Sequence, residues 1–560
     1  MTAEASRRPE AWIARRDDAA VAADLSAATG PLAGLHLAVK NNVDVAGFAT
    51  TAGCPTFATT PAAADAPAVA RLRAAGATVV GVTNLDQFAT GLVGQRSPYG
   101  GVRDARRETH VSGGSSSGSA VAVALGEADF AIGTDTAGSG RVPAAFQGIV
   151  GIKPTLGVVS TEGVVPACRS WDAVTILARD LDTAAAAMGA MAGGPRTRPW
   201  PTDLPLAAPP DARVAIPAEL PGMAPGWAEA FDAAVERLRS DGCVVEAIPF
   251  ETFLTAATLL YGGALVAERH AAVGDFVDAH LDDPALDPTV GAIISRAGTP
   301  AASAMVRDLD RLERLRIASM TLLDGFDALL VPTVPGQPTI AELAADPVGV
   351  NSWVGTYTNF CNLFDLCAVA VPSGTVGEAQ FGITVVARAF HDAVAFDLAR
   401  RVLVPPTPIA QPGSAAPLPT SDVAWPVLAG APSHRLLVVG AHLRGQPLAH
   451  QLDDLGARWV GETRTAATYR LVALDTTPPK PGLEHVGDDG VSIAGELRDL
   501  SPAALATFLA DLPVPMTLGP VELADGSWVV GFGCEAAAAR KGRDISDFGG
   551  WRAWIAAGRP

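Results

Sequence analysis

Residues 113–154, GGSSSGSAVAVALGEADFAIGTDTAGSGRVPAAFQGIVGIKP, alternate glycine-rich loops with short apolar runs. Two small-residue loops, Gly113–Gly118 and Thr134–Gly140, flank an Ala/Val-rich segment and a short apolar strand, Phe130 to Gly133. Glycine at this density permits positive φ and lets a ligand approach the main chain closely. Each loop feeds a predicted helix, Ser119–Leu125 after the first and Val142–Phe146 after the second. Free N–H groups at a helix start favour negative charge. Serines beside such groups offer what acyl transfer needs: a nucleophile, a proton relay and an oxyanion hole. A flexible linker would not carry apolar runs this regular. A phosphate cradle lacks its Gly-Lys-Ser/Thr ending, and Lys153 comes too late to supply it. From the residues alone, catalysis and a purely structural loop pair both stay open.

Outward from this core the chain alternates strand and helix. Ala11–Leu25 reads as a surface helix, and Leu35–Val39 as a short strand ending at Lys40. Val69–Ala75 is a predicted helix and Thr78–Val82 a buried strand, with a further helix beginning near Asn84, Asp86 and Gln87. Beyond the core, strands are expected at Val174–Ala178, Val214–Ile216, Val244–Ile248, Ala328–Val334, Ala368–Val371 and Phe381–Val386. Helices are expected at Trp227–Ser240, Phe253–Val273, Ala304–Leu323, Asn351–Leu366 and Phe390–Leu403. This order argues α/β with one large sheet. Pro195–Pro210 reads as a surface loop. A Pro/Ala-rich linker then covers 406–433, dividing a domain at 1–405 from a small α+β domain at 434–560. In that tail, strands are predicted at Leu436–Val439, Thr468–Ala473, Ser492–Leu497 and Ser527–Phe532, and helices at Pro502–Leu509 and Ile545–Ile555.

The chain has 560 residues, too many for a single core. A hydrophobic share of 49% and a charged share of 18% are globular values. The formal charge of −18 argues against nucleic acid and anionic membranes as partners. It also requires that any anion site carry its own local cations. No apolar run is long enough to span a membrane, and no signal-peptide core is evident. The six cysteines are scattered without CxxC pairs, so neither a metal cluster nor a disulfide framework is expected. A cytoplasmic location with reduced thiols follows as the expectation, and Cys54, with no histidine nearby, reads as a packing residue.

The stretch 113–154 resembles the signature of the amidase signature family, whose enzymes use a Ser–Ser–Lys triad. The resemblance covers roughly residues 10–405. It implies a large mixed sheet wrapped by helices. It also implies that Ser139, in Ala-Gly-Ser-Gly-Arg, is the nucleophile, and that Ser115 is the bridging serine, held in the family by a cis peptide. Lys40, in Val39-Lys40-Asn41, would be the base. Taken alone, a lysine at a strand end is a surface snorkeller; buried, it is driven toward the neutral form that can accept a proton. Backbone N–H groups of Thr136, Ala137, Gly138 and Ser139 would form the oxyanion hole. No cofactor and no metal is called for.

Three features narrow the resemblance to one member group of that family, the allophanate hydrolases. They are Gly140 after the nucleophile, the segment Thr50-Thr51-Ala52-Gly53-Cys54-Pro55, and a tail carrying Gly440-Ala441-His442-Leu443 and Gly495-Glu496-Leu497-Arg498. The tail resembles the gamma-glutamyl cyclotransferase-like fold. In the group, a Tyr and an Arg on one helix hold the substrate carboxylate; Tyr261 and Arg269, two helical turns apart, match them. Without that context the pair is an aromatic packed beside a surface arginine. The resemblance implies deamination of allophanate, a small anionic substrate, to N-carboxycarbamate, which the tail helps decarboxylate. His442 is the candidate there, with His450 and Glu496 behind it. A homodimer is expected, as is a separate urea carboxylase upstream, because no Met-Lys-Met biotin-attachment segment occurs. The alternative is a broad-specificity amidase with a non-catalytic tail.

Overall fold

The computed structural model describes residues 8–406, 409, 418 and 420–558. The chain forms two compact units. One comprises Met1–Pro199 with Asp211–Pro419, the other Trp200–Pro210 with Thr420–Pro560.

The first unit is built on an eleven-stranded mixed sheet. Its strands are β1 (Trp12–Arg15), β2 (His36–Lys40), β3 (Thr78–Thr83), β4 (Phe130–Asp135), β5 (Val150–Lys153), β6 (Ala173–Ala178), β7 (Arg213–Pro217), β8 (Val244–Ile248), β9 (Ala328–Pro332), β10 (Cys367–Val376) and β11 (Ala379–Ala387). They lie in the order β1-β3-β2-β4-β6-β5-β10-β11-β9-β7-β8. β2 runs parallel to both β3 and β4, and β7 to both β8 and β9. The central strands are buried on both faces, which explains their unbroken apolar runs. Helices α1 (Ser117–Ala124) and α2 (Arg141–Gln147) follow the two glycine loops; α2 is buried along its whole length and α1 at every residue but Ala124.

Four local expectations are corrected. The helix predicted over 11–25 begins only at Asp18, because Asp17 caps it by accepting from the N–H groups of Ala19 and Ala20 at 3.0 and 3.1 Å. Upstream, β1 completes the sheet edge against β3. In place of the helix expected to begin at 84–87 there is only a 3-10 turn, Gln87–Ala89. The Asp86 carboxylate takes the N–H groups of Val93, Gly94 and Arg96 at 3.2, 2.9 and 3.0 Å, which pulls the chain into a loop. The single helix predicted at 253–273 is two, α3 (Glu251–Gly262) and α4 (Ala267–Ala279). It breaks at Gly262-Gly263, where Gly263 is extended and Asp308 accepts from Ala264 N–H at 2.6 Å. Finally, part of the predicted 195–210 loop is packed. Leu204, Leu206 and Ala208 are buried, and the N–H groups of Leu206 and Ala207 donate to Gly456 O at 2.9 and 3.1 Å.

The second unit holds β12 (His434–Val438), β13 (Arg458–Arg464), β14 (Tyr469–Leu474), β15 (Lys480–His485), β16 (Ala494–Leu500), β17 (Met516–Glu522), β18 (Trp528–Cys534) and β19 (Arg543–Asp544). A five-stranded sheet runs β13-β16-β12-β18-β17 and a three-stranded one β15-β14-β19. β13, β15 and β17 are strands that the sequence pattern does not announce, and the helix predicted at 545–555 shrinks to Trp551–Ala556. Both sheets and the helix α5 (Pro502–Ala510) share one apolar core. Of the expected linker, 407, 408, 410–417 and 419 lie outside the described residues; Trp425–Leu428 forms a helical turn.

Candidate active site

Lys40 closes β2 and is fully buried. Its Nζ lies 2.8 Å from Ser115 Oγ and donates to Thr134 Oγ1 at 2.7 Å. Burial drives the amine down to a pKa of about 7, and the carboxylates of Asp86, Asp135 and Asp172 only partly pull it back. The parallel pairing of β2 with β4 explains the meeting, since it brings Lys40 beside the strand that carries Thr134. Ser115 follows a cis Gly114–Ser115 peptide bond. Ser116 N–H donates to Ser139 O at 3.4 Å, which stitches the two serine loops together.

The Ser139 loop is held from below by Asp135. That carboxylate accepts from Gly138 N–H at 2.9 Å and Gly140 N–H at 3.0 Å, and takes Arg141 Nε and Nη2 at 3.0 and 2.9 Å. Burial pushes Asp135 up, but Arg141, Lys153 and the loop N–H groups outweigh it and keep the carboxyl ionised. Gly138 has φ +126°, and a Cβ there would sit 2.4 Å from Thr358 Oγ1, so any side chain at this position is strained and must displace that threonine. Of the four expected oxyanion donors, Gly138 is removed, because its N–H is already committed to Asp135. Among the described residues, the N–H groups of Thr136, Ala137 and Ser139 have no acceptor. Thr136 is fixed through its hydroxyl, which donates to Asp172 at 2.5 Å.

Tyr261 and Arg269 meet, although they stand on different helices. Arg269 Nη2 donates to Tyr261 Oη at 3.2 Å, and Nη1 to Thr90 Oγ1 at 2.9 Å and Ala89 O at 3.3 Å. Arg269 is 1% exposed and its Nε has no partner. Among the described residues no carboxylate pairs with it. A buried cation without an anion is costly and calls for one.

A family model described as amidase matches residues 7–395. The chain belongs to the amidase family. A model described as the allophanate hydrolase C-terminal domain matches this amidase-family chain at 434–556. The urea amidolyase of Lachancea kluyveri is 41% identical over 549 residues, covering 94% of this chain but 30% of the relative. The chain thus spans about 30% of the length of that relative and of the Saccharomyces cerevisiae urea amidolyase, which is 42% identical. Among solved structures, Kluyveromyces lactis allophanate hydrolase superposes with a TM-score of 0.86 at 37% identity, over 98% of this chain and 93% of that one. The fold is therefore the amidase signature fold, a large mixed sheet wrapped by helices, with a C-terminal α+β domain.

In the second unit of this amidase-family chain, His442 is buried. Its ring stacks on Phe532 at 5.0 Å and meets Phe508 edge-on at 5.1 Å. Nε2 lies 2.9 Å from Gln451 Oε1, and burial holds the imidazole down at a pKa of about 4, so it is neutral at physiological pH. Glu496 is engaged elsewhere, accepting from Arg444 N–H at 2.9 Å and from the Arg552 guanidinium. It borders a cavity of about 610 Å³ whose walls do not include His442. His450 only opens a short helical turn. Cys54 is a buried thiol in an apolar cluster with Phe88 and Val273.

Sequence reading missed Thr134 and Thr90, since a threonine beside a loop carries no signal until the chain is folded; the turn that carries Asp172 is placed near the site only by the family resemblance. Among the described residues no group of three or more His, Cys, Asp or Glu side chains could hold a metal ion, and no helix is long and apolar enough to cross a membrane.

Proposed function

We propose that this enzyme hydrolyses allophanate, and that its second unit assists decarboxylation of the product. The carrying observation is Arg269: a buried guanidinium with an unpartnered Nε, hydrogen-bonded only to neutral oxygens. A small substrate bearing a carboxylate supplies the missing anion. The planar fork of Arg269 grips it bidentately while Tyr261 adds a hydroxyl.

The carboxylate so held leaves the terminal carbamoyl group for Ser139. Lys40, about half neutral near pH 7, takes the Ser115 proton as Ser115 takes that of Ser139. Ser139 Oγ attacks the carbamoyl carbon, and the N–H groups of Thr136, Ala137 and Ser139 receive the oxyanion. Each such donor contributes about 3–4 kcal/mol. Ammonia leaves with a proton returned through Ser115. Water then cleaves the acyl-enzyme, giving N-carboxycarbamate. We assign the loss of carbon dioxide from this product to the second unit, a role supported by the match of the C-terminal domain model, with His442 as the residue we propose for it. The free thiols fit a reducing cytoplasm, where we place a homodimer fed by a urea carboxylase.

Ammonia release from allophanate, set against a panel of neutral amides, tests the reading. Allophanate should be preferred, and Lys40→Ala and Ser139→Ala should abolish turnover. Higher activity on acetamide or benzamide would instead establish a broad-specificity amidase.

A further inference from the structure

Among the described residues, six non-glycine residues have a left-handed backbone, and three of them converge on one place: Ala52, Phe88 and Ala89, at φ +50°, +50° and +53°. Phe88 N–H donates to Ala52 O at 2.8 Å. The Phe88 ring packs edge-on against Phe57 and Phe276 at 5.2 and 6.1 Å. Phe276 stands on α4, two turns beyond Arg269, so one helix face meets the turn twice. Arg96 Nη1 donates to Thr90 O at 2.9 Å. Strain of this kind persists only where the surroundings over-determine it, and it gathers at functional sites.

The strained turn delivers two acceptors to Arg269 Nη1, Ala89 O and Thr90 Oγ1. The Thr90 hydroxyl turns its own proton to Phe88 O at 3.2 Å, so its oxygen is an acceptor toward the guanidinium. Together with Tyr261 Oη, every oxygen holding Arg269 is uncharged. Neutral acceptors orient the cation without cancelling its charge. A carboxylate at position 90 would pair with it and exclude an anionic substrate.

We infer that Thr90 is a positioning residue that sets the preference for carboxylate-bearing over neutral amides by aiming Arg269 without giving it a hydrogen-bonded carboxylate. This rests on the reading of Arg269 as the carboxylate site. The probes are allophanate and biuret, in which a carboxamide replaces the carboxylate. The readout is the ratio of their kcat/KM values in the full chain.

Thr90→Val should raise KM for allophanate about tenfold, with kcat and the biuret constants little changed. Thr90→Ser, which keeps the oxygen, should restore the wild-type ratio. Thr90→Asp should lower the ratio roughly a hundredfold. Unchanged ratios in Thr90→Val and Thr90→Asp would overturn the inference. Arg269→Met then separates the two levels: if it abolishes the preference while the Thr90 variants do not, the carboxylate site stands and Thr90 has no part in it. If Arg269→Met leaves the ratio unchanged, the underlying reading fails. Thermal melting checks folding, and Thr90→Ala carries the same expectation should Thr90→Val be unstable.

Discussion

Lys40 carries its amine where water does not reach it. Its pKa of about 7 predicts that kcat/KM in a pH–rate profile falls below pH 7, as the free base is lost. The same shift has a thermodynamic consequence. The folded pKa lies below the unfolded value of about 10.4, so between pH 7 and 10.4 the unfolded chain binds the extra proton and stability rises with pH. Below pH 7 the full penalty, on the order of 5 kcal/mol, remains. Lys40→Met should therefore stabilise the protein at pH 6 more than at pH 9 in chemical denaturation, while abolishing activity. Asp135 and Arg141 behave oppositely, as a fully buried pair with four further hydrogen bonds from loop N–H groups and to neighbouring oxygens. Asp135→Asn leaves the guanidinium uncompensated and should cost about 3–5 kcal/mol in the same measurement. None of these magnitudes is legible in the sequence. Motif and spacing nominate Lys40, Ser115 and Ser139 for the proposed chemistry, but the depth of burial that shifts the amine belongs to the packed sheet.

The decisive elements are turns. The Ser139 loop runs from the end of β4 into α2, and Gly138 is wedged under Thr358. Gly138→Ala must adopt φ +126° and displace that threonine. Activity should fall more than tenfold in a steady-state assay while global stability drops by only about 1–2 kcal/mol. The density of glycine in 113–154 announces such a loop, but does not say which N–H groups remain free. Asp135 takes Gly138 and leaves Thr136, Ala137 and Ser139, a choice made by a side chain reaching back along its own loop. The break between α3 and α4 teaches the same lesson. Tyr261 and Arg269 have the spacing of one helix face, so their pairing is foreseen on a geometry the chain does not use. Gly262-Gly263 and Asp308 interrupt the helix, and the contact forms across the kink.

Across the whole molecule, two cores divide the chain, and the second recruits Trp200–Pro210 from the middle of the first. The Trp200 and Trp425 rings meet at 5.7 Å, and Ala503 N–H donates to Thr202 O at 2.9 Å. Unfolding need not be two-state. His442 gives the second core its own pH dependence. Its folded pKa of about 4 lies below the unfolded value of about 6.5, so stability is lost as pH falls from 6.5 to 4. Differential scanning calorimetry should show that loss in the transition of the second unit, and His442→Leu should flatten it.

The α/β alternation of the first unit, the glycine loops and the tail's glycine motif are readable from the chain, because periodicity and backbone chemistry are local. Three things are decided only by the tertiary structure: a turn of neutral oxygens around Arg269, a Lys40 stripped of water, and a mid-chain segment built into the C-terminal core. Each depends on residues far apart in sequence being brought into contact, and desolvation acts only once those contacts exclude water.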